Sequence, residues 1–88
     1  MIFKVRGVLL RFTDYENEIE IEATTVRAGL AGLTERYPHL GEVLLDRTGE
    51  VRPTHLIALN GERLTRSELE REAAEDDRVD IVTAVSGG

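Results

Sequence analysis

The sequence contains no cysteine and no tryptophan, two prolines, and four aromatic residues: Phe3, Phe12, Tyr15 and Tyr37. Without cysteine there is no disulfide framework, no thiolate zinc site and no cysteine nucleophile. Four scattered aromatics do not build a base-stacking platform. Eleven basic residues against 17 acidic ones, a net charge of −6, leave no basic face of the kind a phosphate backbone needs. Nucleic acid is therefore not an expected partner; an acidic surface instead speeds encounter with a basic protein surface. No apolar run approaches the roughly 18 residues of a membrane span, so no membrane partner is expected either. The opening MIFKVRGVLL lacks the charge–apolar–cleavage order of a secretion signal, and the expected location is cytoplasmic. The 88 residues make one domain with one core and little interior to spare for a permanently bound cofactor.

What is present is a clear alternation of strand and helix patterns. Ile2 to Phe12 reads as a strand, with Phe3, Val5 and Leu9 on one face and Lys4, Arg6, Val8 and Leu10 on the other. That second face changes from charged to apolar after Gly7. Either a bulge at Gly7 resets the register, or Val8 and Leu10 form an exposed patch for a partner. Thr13 to Asn17 supplies a turn. Glu18 to Ala23 then alternates, with Ile19, Ile21 and Ala23 inward and three glutamates outward. Lys4 and Arg6 on a paired strand would face those glutamates, which are a solvated strand face rather than a metal site.

Val26, Leu30, Leu33 and Tyr37 make one helical stripe, with Thr24 or Thr25 as N-cap and Pro38 as the stop. Gly29 and Gly32 within it point to close helix-to-sheet packing, not to a phosphate loop. His39 to Pro53 connects, anchored by a short turn of helix at Val43, Leu44 and Leu45. His55 to Leu59 is a strand, Asn60-Gly61 a tight turn, and Glu62 to Leu64 its return. Thr65 and Glu68 have capping-box spacing, giving a short helix over 67–74 with Leu69 as its anchor. After the Asp76-Asp77-Arg78 turn, Val79 to Val85 reads as a central strand buried on both faces. The order predicts an α+β fold: a mixed sheet of four or five strands on one main helix, with the last strand beside the first. Residues 1–85 form the domain and 86–88 a tail.

No catalytic machinery is visible. No serine sits in a nucleophile elbow. His39 and His55 read as solvent-facing or strand-end side chains with no carboxylate at helix-ligand spacing. Neither catalytic nor metal-ligating residues are assigned, and the chain is read as something acted upon. The chemistry-bearing feature is Val85-Ser86-Gly87-Gly88, directly after a central strand. Two residues without Cβ can enter a narrow channel in another protein. A terminal carboxylate must be activated, most simply as an acyl adenylate, before a sulfur or nitrogen nucleophile attacks it.

The element order, the Leu59-Asn60-Gly61 turn and the Val85-Ser86-Gly87-Gly88 ending resemble the ubiquitin-like sulfur carriers, among them the small subunit of molybdopterin synthase, the thiazole carrier ThiS and the cysteine-pathway carrier CysO. The resemblance implies a β-grasp fold. It implies that Gly88 is adenylated with ATP by a ubiquitin-activating-like adenylyltransferase and becomes a thiocarboxylate that donates sulfur to an acceptor on a synthase. Gly87, Ser86 and Val85 would be the tail the enzyme recognises, and ATP would be bound by the partner, not by this chain. Thr83-Ala84 stands where many molybdopterin-synthase subunits have two prolines, which leans towards the cysteine-type carrier or a relative from another biosynthetic pathway. Two other classes remain open: a protein modifier joined through Gly88 to lysines, and a non-covalent β-grasp interaction module.

Overall fold

The computed structural model describes residues 1–83; Ala84 and Val85, expected to finish the last strand, and the 86–88 tail lie outside the described residues. Alternation sets the first hairpin. Strand β1 (Ile2–Val5) pairs antiparallel with β2 (Glu18–Glu20), placing Phe3 opposite Ile19 and Lys4 opposite Glu18. Phe3, Val5 and Ile19 are buried, and the charged pair lies on the other face.

The strand expected over Ile2–Phe12 stops at Val5. Gly7 takes φ +62°, which ends the extended path, and Gly7–Phe12 coils into a 3-10 helix that buries Leu9. The Thr13 hydroxyl, itself buried, closes the segment by donating to the Leu10 and Glu16 carbonyls at 3.3 and 3.0 Å. There is thus neither a bulge nor a shared strand face for Val8 and Leu10: the coil sends Val8 into solvent and leaves Leu10 half-buried against the core.

Helix α1 (Val26–Arg36) begins where its cap was expected, the Thr25 hydroxyl accepting the Ala28 N–H at 3.1 Å, and it buries Val26, Leu30 and Leu33. Pro38 forces Tyr37 out of the helical region and then serves as the first residue of a second helix, α2 (Pro38–Leu44), where its missing N–H costs nothing. The expected turn at 43–45 is therefore the end of a helix that begins five residues earlier and buries Leu40 and Leu44.

Strands β3 (His55–Leu59) and β4 (Glu62–Leu64) form a hairpin on Asn60-Gly61, both at positive φ (49° and 86°), the geometry of a type I′ turn. The Thr65–Glu68 capping box is reciprocal, but only Arg66–Glu68 coils, as a 3-10 turn. Beyond it the Leu69 and Arg71 N–H groups still turn back to the Arg66 and Glu68 carbonyls, but no helix follows, and the main chain is bonded to the start of α1. Arg27 N–H donates to the Leu69 carbonyl, Val26 N–H to that of Arg71, and Ala73 N–H to that of Thr24. Leu69 is the buried anchor expected.

Strand β5 (Arg78–Thr83) completes a five-stranded mixed sheet of order β2-β1-β5-β3-β4, parallel to β1 and antiparallel to β3. It is central, but not buried on both faces. Val79 and Ile81 enter the core, whereas Asp80 and Val82 face away, and Val82 is 45% exposed. The core gathers on one side of the sheet, so β5 alternates after all.

Helix α1 packs tightly on Met1 and Phe3 at Gly29. A Cβ there would lie 2.3 Å from Met1 Sδ and 2.9 Å from Phe3 Cζ. Gly29→Ala gains roughly 1 kcal/mol of helix propensity but overpacks a closed core at about 1–3 kcal/mol. The net expectation is a lower urea midpoint at unchanged m-value; a midpoint equal to or above wild type would contradict the packing described.

Candidate functional site

The site is the end of the sheet from which residue 84 continues. Because β5 runs parallel to β1 and antiparallel to β3, the last residues of β1 and the first of β3 meet β5 at this end. His55 pairs with Thr83 and Leu56 with Val82. The His55 ring fastens this corner: Nε2 donates to the Val43 carbonyl of α2 at 2.9 Å, leaving Nδ1 to accept from the Thr83 hydroxyl at 3.4 Å. The last described residue is thus tied to both β3 and α2. Gly88 follows Thr83 by five residues, which extended span at most roughly 17 Å.

Of the expected site residues, Val85, Ser86, Gly87 and Gly88 lie outside the described residues. Val8, 64% exposed, stands in the coil that follows β1, which ends at this same end of the sheet; Leu10 does not share its exposure. Reading the sequence missed the Leu56–Val82 pair on the open face. The available signal was Asp80, a charged residue in a run otherwise taken as buried throughout.

The open face also carries a charge ladder. Lys4 Nζ is 2.6 Å from Glu18 Oε1, with its side chain only 23% exposed, and Arg78 lies 3.6 Å from the same oxygen. Arg6, expected opposite the glutamates, instead approaches Asp80 Oδ1 at 3.5 Å, outside hydrogen-bond geometry; that buried oxygen makes no hydrogen bond among the described residues. The Lys4 hydrogen bond, then its charge, hold the Glu18 carboxyl below its ordinary range, helped by Arg78 and opposed by desolvation. His39 has a carboxylate at helical spacing after all: Glu42 Oε2 lies 3.6 Å from its Nδ1, but both are exposed. Among the described residues, no group of three or more His, Asp or Glu is placed to hold a metal ion, and no helix is long and apolar enough to cross a membrane.

A mixed sheet with its last strand in the middle, gripping helix α1 on one face, is the β-grasp fold of the ubiquitin-like proteins. The family model of the ThiS family matches residues 4–88, and the chain belongs to that family, one of small carrier proteins rather than enzymes. It is similar to the small archaeal modifier protein 1 of Methanosarcina acetivorans (26% identity, TM-score 0.85, covering 99% of this chain and 94% of that one). It is similar also to a chain of the BexX/CysO complex of Amycolatopsis orientalis (22%, 0.84, 99% and 98%). CysO of Mycobacterium tuberculosis is a third such structure (23%, 0.82, 96% and 98%). No curated protein sequence matches the chain.

Glu18 and three further carboxylates are held below their ordinary range: Asp46 by the Thr48 hydroxyl, Glu68 by the Thr65 N–H and hydroxyl, and Asp77 by the Ala74 N–H and the Asn60 amide. A depressed folded-state value means the stabilisation is full above the unfolded-state value and fades as pH falls through the folded one. Urea midpoints should therefore hold near neutrality and decline through and below the ordinary carboxylate range. Lys4→Met should move the Glu18 carboxyl upward in an NMR titration; an unmoved Glu18 would show that Lys4 does not set it.

Proposed function

We propose that this chain is a sulfur carrier whose reacting atom is the carboxyl carbon of Gly88. The observation that carries the reading is the Gly87-Gly88 pair beyond a strand held at the centre of a ThiS-family domain. An ionised carboxylate resists nucleophiles, so its oxygen first attacks the α-phosphorus of ATP on an adenylyltransferase and pyrophosphate leaves. Hydrosulfide then attacks the acyl carbon, the C–O bond to phosphate breaks, AMP leaves, and loss of the S–H proton yields the thiocarboxylate. Donation to an acceptor held by a synthase, with water supplying oxygen, restores the carboxylate.

This chain's part is recognition and presentation. Two glycines thread where a Cβ would clash, and ordering them costs about 1–2 kcal/mol of backbone entropy per residue, which contacts on the folded body must offset. The surfaces proposed for those contacts are Val8 and the Leu56–Val82 patch beside the root of the tail. The domain acts in the cytoplasm, where ATP and the activating enzyme are available.

Similarity to an archaeal modifier protein supports a second reading, in which a lysine amine replaces sulfur as the nucleophile and Gly88 ends in an isopeptide bond. Lys4, the one lysine of the sequence, is held against Glu18 and is a poor acceptor for chain building.

Incubation with an adenylyltransferase of the ubiquitin-activating type, ATP and a sulfide source should raise the intact mass by the difference between sulfur and oxygen, on Gly88. Deleting Gly87 and Gly88 should abolish the gain and leave the melting temperature unchanged. Val82→Asp should slow loading by about tenfold or more through lost apolar contact while the fold persists. No mass gain on the intact chain, with Gly-Gly remnants on lysines of other proteins, would replace the carrier with the modifier.

A further inference from the structure

The net charge of −6 conceals a local excess of the opposite sign. Arg52, Arg63 and Arg66 surround an open cleft of about 260 Å³ between the segment preceding β3 and the start of the 3-10 turn after β4. All three are exposed, and none lies within ion-pair distance of a carboxylate among the described residues. Two of them are positioned by main chain. Arg66 Nη2 donates to the Val51 carbonyl at 3.2 Å, and Arg52 Nη2 to that of Glu42 at 3.4 Å. A guanidinium carries five N–H donors, so most of the donors remain open.

The nearby carboxylates are committed elsewhere. Glu62 pairs with Arg71 at 2.9 Å and Glu50 with Arg27 at 3.4 Å. Glu68 caps Thr65, and Asp46 accepts from Thr48 and Glu50, with the Arg66 charge adding a weaker attraction beyond ion-pair distance. Pro53 and Leu56 line the same cleft, and Leu56 is the cross-strand neighbour of Val82. The cleft thus shares His55 and Leu56 with the strand that pairs with the last described residues of β5.

We infer that this cleft docks an acidic segment of the protein that handles the tail, its carboxylates on the three guanidiniums and an apolar side chain against Pro53 and Leu56. The partner's role rests on the carrier reading; the binding chemistry does not. Arginine forks fit carboxylates bidentately. A nucleic-acid strand fits less well: no Phe, Tyr or Trp lines the cleft, its His55 ring is tied to Val43 and Thr83, and the negative remainder of the chain opposes a long polyphosphate.

The test is an NMR titration of the full 15N-labelled chain with a short peptide alternating Asp or Glu with Leu. Its Asn/Gln counterpart and a single-stranded oligonucleotide serve as competitors. Saturating shifts should concentrate in residues 51–57 and 63–66. Affinity should fall about tenfold in Arg63→Glu and also at high salt, and be retained largely in Arg63→Lys. The Arg63 side chain makes no intramolecular hydrogen bond or ion pair among the described residues, so both variants should keep the wild-type shifts of β1 and α1. Equal binding of the neutral peptide, tighter binding of the oligonucleotide, or no saturating shifts at the cleft would overturn the proposal. Removing Gly87 and Gly88 should leave peptide affinity unchanged. Peptide binding without loading of the intact chain therefore defeats the carrier reading alone, and loading without peptide binding defeats the cleft alone.

Discussion

The pairing of β5 between β1 and β3 is the constraint on which the other features depend. Val79 and Ile81 lie beside Phe3 and Val5 on one flank and Leu59 and Ile57 on the other, all buried. Burial of each such side chain is worth about 1.5–3 kcal/mol, and the sheet can close over them only because Gly29 lets α1 approach Met1 and Phe3. A strand locked in the middle of a sheet cannot fray as an edge strand can. Whatever follows Thr83 therefore starts from a fixed point, which the His55 ring reinforces from β3 and α2.

That fixed point matters because the chain is read as a substrate and not as a catalyst. An enzyme that must align one acyl carbon with a nucleotide phosphorus, and later with sulfur, gains when the handle is rigid and the path to the reacting atom is short. The exposed features cluster accordingly. Val8, the Leu56–Val82 pair and the arginine cleft all lie at or beside the end of the sheet where β5 finishes. Apolar contact would supply affinity there, and the guanidiniums would supply orientation and partner choice.

Local rules made most of the fold legible. The Glu18–Ala23 alternation, which is strand as far as Glu20, the Thr25 cap, the stripe Val26–Leu30–Leu33 with Tyr37 at its C-cap, the Asn60-Gly61 turn and the Leu69 anchor each follow from neighbours within a few residues. The misreadings came where distant partners decide. Val8 to Leu10 looked like strand because the positive φ at Gly7 and the capture of Thr13 by two carbonyls are not written in hydrophobicity. Residues 69–73 looked helical because their main-chain bonds to 24–27 join segments more than forty residues apart. Val82 looked buried because the sequence does not say that both helices pack on one face. The arginine cleft was invisible for the same reason: Arg52, Arg63 and Arg66 are scattered along the chain and meet only through the β3–β4 hairpin.

The most direct measurement is residue-by-residue amide hydrogen exchange across 79–88. If β5 is the anchored base of a presented acyl end, Val79 to Val82 should exchange only through global unfolding, while Ser86, Gly87 and Gly88 exchange at the rates of an unstructured peptide. Protection of Gly87 and Gly88 comparable to that of Ile81 would mean that the reactive end is held inside its own fold, and would contradict the account.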